Sequence, residues 1–279
     1  MRTRTRGHES LVPEGDTVWL AARRMHRALA GEVLTATDFR VPQLATSDLR
    51  GRQVLEVVSR GKHMLTRVSG DLTLHTHFRM EGSWHIYRPG QRWRGPDWQV
   101  RVVLATARSV AVGYRLPVVE LVPTGEEQLV VGHLGPDLLG EDWDARRAVE
   151  NLLAEPDRAV GEALLDQRVL AGLGNMYRCE VLFLRGVSPW SPVGAAGDLE
   201  RIVDVSYRVL QANKGRGEQA VTGSVRRGES NYVYARAGKP CRRCRTPISK
   251  AMQGPAPMAR DTYWCPRCQP ERPVPTPAD

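Results

Sequence analysis

The sequence predicts an α+β protein: an N-terminal helix plus an antiparallel β-sandwich, then a helical domain, then a β-hairpin framed by cysteines. Three observations predict it. Short β-branched runs separated by turn residues fill 32–122. Apolar residues then change to helical spacing between 143 and 212. Two CxxC pairs, Cys241/Cys244 and Cys265/Cys268, lie near the end with 20 residues between them. A chain of 279 residues allows two or three modest domains, and 41% hydrophobic content supports a buried core.

Residues 1–12 form an Arg-rich leader without an apolar stretch behind it, so a secretory signal is disfavoured. No apolar run reaches transmembrane length, and the expected compartment is the cytosol. A helix is expected from Pro13, because Val18, Ala21, Ala22, Met25 and Leu29 follow the i, i+3, i+4 stripe. Pro13 and Glu14 suit its first turn, where a missing N–H costs nothing and a carboxylate meets the positive helix end. Gly31 supplies the stop. Strands are expected at 54–58, 64–68, 72–77, 100–105, 110–114 and 118–122, punctuated by Gly51, Gly61, Gly70, Gly82 and Gly95. A Gly/Pro-rich linker follows, centred on Gly135-Pro136-Asp137. Helices are expected at 143–153, 158–169, 175–184 and 198–212, the middle pair broken by Ala171-Gly172-Leu173-Gly174. Residues 215–230 read as a Gly-, Ser- and Arg-rich loop, 232–235 as a short strand, and the proline-rich tail as disordered. The domains implied are 13–126, a linker at 127–142, 143–235 and 236–270, with the leader at 1–12 and the tail at 271–279 outside them.

Net charge is +9, and 214–268 carries the whole excess, with 12 basic and 3 acidic residues. A basic patch confined to one region points to a polyanion, most simply nucleic acid; the plainer alternative is a solubilising face. Within it, two CxxC knuckles place four thiolates for one tetrahedral zinc with no open position, so the metal is structural. In a cytosolic chain a disulfide framework is the weaker reading. A zinc ribbon alone also serves as a protein dock, but Arg242, Arg243, Arg245, Lys250, Arg260 and Arg267 tip it toward phosphate.

Three further stretches carry chemistry-bearing residues. Ala171-Gly172-Leu173-Gly174-Asn175 opens a helix whose free N–H groups suit a phosphate, although Asn175 as a plain cap is the commoner case. Arg60-Gly61-Lys62-His63 opens a strand with a lysine that is either a site cation or an ordinary solvated side chain. His75 and His77 share one strand face without an evident third ligand, so they read as structural. Phe78 and Met80 read as core by prior, or as wedges into a base stack if they sit on a DNA-facing turn.

Taken with Val12-Pro13-Glu14-Gly15-Asp16, these stretches resemble the formamidopyrimidine-DNA glycosylase and endonuclease VIII family. The likeness runs from Pro13 to Gln269 with the motifs in family order: Pro-Glu-Gly, Arg-Gly-Lys, Leu-Leu-Asp-Gln to Gly-Leu-Gly-Asn, and Arg-Asp-Thr-Tyr-Trp-Cys-Pro-Arg-Cys-Gln. The resemblance implies a helix–two-turn–helix in the helical domain and a zinc β-hairpin after it. It implies a bifunctional glycosylase and abasic-site lyase that acts on damaged double-stranded DNA as a monomer. It assigns Pro13 as the amine nucleophile, Glu14 as the proton shuttle, and Lys62, Asn175 and Arg260 as phosphate contacts, Lys62 and Arg260 within the catalytic set. Met80 falls near the residues that fill the hole left by a flipped base, and Cys241, Cys244, Cys265 and Cys268 hold the zinc. Pro-Glu-Gly-Asp looks like the endonuclease VIII branch, which favours oxidised pyrimidines. Gly161 departs from the family, standing where many relatives carry a lysine.

The chemistry has a condition. In the chain as written the Pro13 nitrogen is an amide and cannot attack. A GTG codon reads Val internally and Met at initiation, so a start at Val12 followed by Met removal would free the Pro13 amine. The alternative, if the amine stays blocked, is a non-catalytic DNA-damage-binding zinc protein.

Overall fold

In the computed structural model the described residues are 13–271. The leader at 1–12 and all but the first residue of the tail lie outside them.

The first helix, α1 (Gly15–Leu29), buries Val18, Ala22, Met25 and Leu29 along one stripe. Gly31, at φ +82°, turns the chain out of it, and its N–H bonds Val54 O. Eight strands follow: β1 (Ala36–Phe39), β2 (Val54–Arg60), β3 (His63–Val68), β4 (Leu72–His77), β5 (Ser83–Tyr87), β6 (Val100–Ala105), β7 (Val110–Tyr114) and β8 (Val118–Pro123). They form two antiparallel sheets, ordered β1-β6-β7-β5 and β2-β3-β4-β8. α1 shares one core with both: Val18, Met25 and Leu29 pack with Val57, Met64 and Leu74 of one sheet and Val102, Leu104 and Ala111 of the other. Each such side chain contributes about 1.5–3 kcal/mol on burial. The two strands not foreseen, β1 and β5, are the edges of their sheet. Edge strands pack on fewer neighbours, and their burial patterns show no clean alternation.

β4 is buried on both faces. Its outward face is covered by α2 (Gln128–Val131) and the residues after it, where Val131, Leu134 and Ala171 pack on Leu65. Glu127 ties this cover down, accepting from Arg67 at 2.6 and 2.8 Å and from Thr73 at 2.6 Å.

The helical region contains α3 (Ala145–Leu153), α4 (Val160–Ala163), α5 (Asn175–Arg185) and α6 (Leu199–Asn213). The helix expected at 158–169 is corrected to the four residues of α4. Beyond it the Asp166 carboxylate accepts from its neighbour Arg168 N and from the Arg158 and Arg168 side chains, which holds the chain in a turn. α5 buries every residue from Met176 to Phe183, so it is the central rod of this half. The strand expected at 232–235 is also absent. The N–H groups of Tyr232, Val233 and Tyr234 converge on the buried Glu180 carboxylate at 2.7–2.8 Å, and a segment wrapped around a carboxylate cannot pair as a strand. The cysteine module contains the expected hairpin, β9 (Ser249–Gln253) with β10 (Arg260–Trp264), in antiparallel register.

Candidate active site

Two helix N-termini meet where the sandwich joins the helical region. The extended Glu14 precedes α1, and Gly174 precedes α5. Gly15 N–H donates to Gly172 O at 2.9 Å, and a Cβ on Gly15 would lie 2.9 Å from Gly172 Cα. Only glycine allows that approach. At Gly174 a Cβ would lie 2.6 Å from Glu14 Oε1. The glycine-rich turn is therefore shaped to admit the Glu14 side chain.

Glu14 is fully buried, and its carboxylate accepts from Gly174 N at 2.9 Å and Met176 N at 2.8 Å. It sits on the N-terminus of a helix other than its own. Burial nonetheless dominates the favourable dipole and hydrogen bonds. Its pKa is pushed up to about 7 by desolvation, opposed by the charge of Lys62 and reinforced by Asp16. A carboxyl with that value exchanges its proton near neutral pH.

Lys62, at the turn between β2 and β3, donates from Nζ to Leu173 O at 2.6 Å. Burial and the neighbouring Arg260 lower its pKa, while Glu14 raises it. The half-buried ammonium is thus drawn into the same corner as Glu14. Gly61 is held at φ +56° beside it, its N–H bonded to the buried Asp137 carboxylate at 2.7 Å.

Asn175 begins α5 and does not project freely. Its Nδ2 donates to Asp261 O at 2.8 Å and its Oδ1 accepts from Arg178 at 2.6 Å, so it clamps the helix start to β10. The fully buried Arg178 is the hub of this joint. It also donates to Gly161 O at 3.2 Å, Gln253 Oε1 at 2.7 Å and Thr262 Oγ1 at 2.6 Å. At Gly161 a Cβ would lie 2.8 Å from Pro189 O, so no side chain fits there, lysine included. Arg260 stands exposed at the start of β10, its guanidinium on Met258 O and Ala259 O.

Pro13 is half-buried directly before Glu14. The turn after β4 separates the two residues read together as core. Phe78 is buried, whereas Met80 is 60% exposed at the tip. The core expectation is corrected for Met80, which stands exposed on that turn. His77 and His75 share their face with His63. His63 Nδ1 lies 2.8 Å from His75 Nε2, and His75 Nδ1 lies 2.9 Å from Glu120 Oε2. Burial holds His63 down to about 3 and His77 to about 4, so both stay neutral.

Sequence reasoning missed Asp16 and Tyr177. The buried Asp16 carboxylate accepts from Tyr177 Oη at 2.6 Å and Gln219 Nε2 at 2.9 Å. The signal available was a second acid two positions after Glu14; nothing in the sequence pairs it with Gln219, 203 residues away.

Among the described residues, the four cysteines form the one group placed to hold a metal ion, their sulfurs within 4.8 Å of one another. Cys241 and Cys268 are 3.9 Å apart and Cys244 and Cys265 3.4 Å. Tetrahedral zinc–thiolate bonds of about 2.3 Å give sulfur separations of about 3.8 Å, so the donor set fits. Arg243 N–H also points at Cys241 Sγ at 3.4 Å, as a thiolate requires.

The N-terminal-domain model of formamidopyrimidine-DNA glycosylase matches residues 12–115, and the formamidopyrimidine-DNA glycosylase H2TH domain matches 134–221. A probable endonuclease 8 2 of Streptomyces coelicolor is 58% identical over 261 residues, covering 92% of this chain and 94% of its own. The DNA-(apurinic or apyrimidinic site) lyase Nei2 of Mycolicibacterium smegmatis is 46% identical, covering 92% and 99%. Endonuclease 8 of Escherichia coli is 33% identical, covering 92% and 100%. Among solved structures, formamidopyrimidine-DNA glycosylase of Lactococcus lactis bound to DNA with an AP site shares the fold, with a TM-score of 0.78 at 23% identity over 92% of this chain and all of that one.

Proposed function

The chain belongs to the formamidopyrimidine-DNA glycosylase and endonuclease VIII family, in its endonuclease VIII-like branch, and from that premise we propose that it excises oxidised bases, pyrimidines foremost, from damaged double-stranded DNA through the amine of Pro13. It is a bifunctional DNA glycosylase and abasic-site lyase of base-excision repair. One observation carries the mechanism: a carboxyl titrating at about 7 is fixed directly after Pro13 by two N–H groups of another helix.

A base stacked in a duplex must be extruded before it can be attacked. The secondary amine of an N-terminal Pro13 adds to C1′ as the C1′–N bond to the base breaks, and its N–H proton passes to the departing base. An α-amine titrates near pH ~8, so part of it is free base at neutrality. Protonated Glu14 delivers its proton to the ring oxygen as the sugar opens, and an iminium joins Pro13 to C1′. That iminium acidifies the C2′ protons. Loss of one, taken up by a base such as the Glu14 carboxylate, expels the 3′ phosphate by β-elimination, and δ-elimination then expels the 5′ phosphate. Lys62 and Arg260 hold the flanking phosphates; Asn175 fixes the helix start and zinc hairpin that grip the backbone. Met80 enters the space vacated by the base. Zinc on Cys241, Cys244, Cys265 and Cys268 holds the hairpin and takes no part in the reaction.

The mechanism needs Pro13 as the first residue. The test is borohydride trapping on DNA carrying an abasic site or thymine glycol. A chain beginning at Pro13 is expected to form a covalent complex, and the same chain with a residue added before Pro13 is not. Tight lesion binding without trapping by the Pro13 chain would establish the non-catalytic binder instead. Elemental analysis is expected to find one zinc per chain.

A further inference from the structure

The loop at 214–219 rests on the first turn of α1. Its exit is fixed by Asn213, whose side chain bonds both Ala220 N at 2.9 Å and Ala220 O at 3.1 Å. Its entry is held by Lys214, whose Nζ lies 4.8 Å from the Trp19 ring centroid. Gln219 directly precedes the anchored Ala220, and its Nε2 donates to Asp16 Oδ1 at 2.9 Å and to Thr17 Oγ1 at 3.3 Å. Both amide hydrogens are therefore spent on α1. The only polar side-chain atom left to Gln219 is Oε1, an acceptor, on a half-exposed residue.

The polarity of this amide is set by Asp16. Its carboxylate is met only by donors: Tyr177 Oη, Gln219 Nε2, Thr17 N and Thr17 Oγ1. Asp16 Oδ1 also accepts from the backbone N–H of Thr17, which can only donate, so this oxygen stays an acceptor and Gln219 meets it with its amide nitrogen. Asp16 is two residues from Glu14, and its charge bears on both Glu14 and Lys62, which places the fixed amide at the margin of the reaction site.

We infer that Gln219 is a specificity-determining residue that accepts a hydrogen bond from an N–H of the extruded base, and that Asp16 is the positioning residue that orients it. The inference rests on the glycosylase reading above. A saturated thymine offers N3–H to such an acceptor, and methylation at N3 removes the donor. A site built to bond a polar group rejects the analogue lacking it, because its own polar atom is then left unpaired.

The test uses the chain beginning at Pro13 on duplexes containing dihydrothymine, N3-methyl-dihydrothymine or a preformed abasic site. The unaltered chain is expected to excise dihydrothymine roughly 10- to 100-fold faster than the methylated base. In Gln219→Ala this preference falls to within a few fold, while cleavage at the abasic site, which has no base to read, persists. In Asp16→Ala the acceptor that holds Gln219 Nε2 is removed, so the amide is free to rotate and the ratio between the two bases, measured within the variant, falls likewise whatever its abasic-site rate. Persisting abasic-site cleavage shows that Gln219→Ala is folded, and a cooperative thermal transition shows it for Asp16→Ala. Full preference retained in Gln219→Ala overturns the inference, and full preference in Asp16→Ala overturns the positioning role. If the unaltered chain cleaves abasic sites and excises neither base, the glycosylase reading fails, which is a separate result.

Discussion

Glu14 and Glu180 are both fully buried, and both take their hydrogen bonds from backbone N–H groups. Burial raises the pKa of each. They differ in what surrounds the carboxylate. Glu180 is wrapped by three consecutive N–H groups of 232–234 and fixes a segment beside the cysteine module. Glu14 receives two, from the edge of a glycine turn, and its remaining neighbours are Pro13, Lys62 and Asp16. The same side chain is a structural anchor where three backbone N–H groups enclose it with the charge of Arg236 nearby, and on the proposed mechanism a proton carrier where Pro13, Lys62 and Asp16 adjoin it.

The largest expected effect tests the carrier. Glu14→Gln removes the exchangeable proton at nearly constant volume. Base excision and strand cleavage are expected to fall about 10²- to 10⁴-fold with lesion binding retained. Single-turnover rates check this. Comparable loss in Glu180→Gln after correction for folded protein would erase the distinction between the two residues.

Next comes a stability difference with a defined sign. The folded-state value of Glu14, about 7, lies above its ordinary value of 4.5. The native state therefore holds this proton more tightly than the unfolded chain. Its contribution is fully present below about pH 4.5 and is lost as pH rises to 7, by up to about 3 kcal/mol. Glu14→Gln has no such proton. Urea unfolding at pH 5 and pH 8 is expected to show the unaltered chain losing that much more than the variant. Parallel pH dependence in the two would mean that Glu14 is ionised throughout.

Glu180→Gln tests the anchor. A glutamine can accept from one side only, and its own N–H groups would face the N–H groups of 232–234. The expected cost is about 1–3 kcal/mol, read as a lower thermal midpoint, with abasic-site cleavage by the folded fraction nearly unchanged.

The unequal legibility of these two regions has a physical basis. Six strands, α1, α5 and the hairpin between the cysteine pairs followed from periodicity and spacing, because each is a local pattern. The edge strands β1 and β5 escaped, being half-exposed. The helix expected at 158–169 and the strand at 232–235 failed because Asp166 and Glu180 redirect backbone N–H groups, which no local pattern encodes. In the site, the motif residues Glu14 and Lys62 were readable as a set, and the fold brings both to one corner. Asp16 and Gln219 were not, because their pairing is created by a loop folding back across the chain.

The smallest effect concerns the pair that separates Glu14 from Glu180. The positive charge of Lys62 holds Glu14 below the value burial alone would impose. Lys62→Met removes that charge and keeps most of the side-chain volume. The Glu14 value should then rise, by about one unit for the loss of a close opposite charge. With Glu14 as the acid of sugar opening in the proposed mechanism, the descending alkaline limb of the pH–rate profile is expected to move to higher pH by that amount. The rate itself also falls, since a phosphate contact is lost, but the position of the limb does not depend on its height. A limb that stays in place would show that Lys62 serves the phosphate alone, and that desolvation is enough to make Glu14 titrate near neutrality. A limb that moves upward would show that the ammonium tunes the carboxyl as well, the part that the charge of Arg236 has at Glu180.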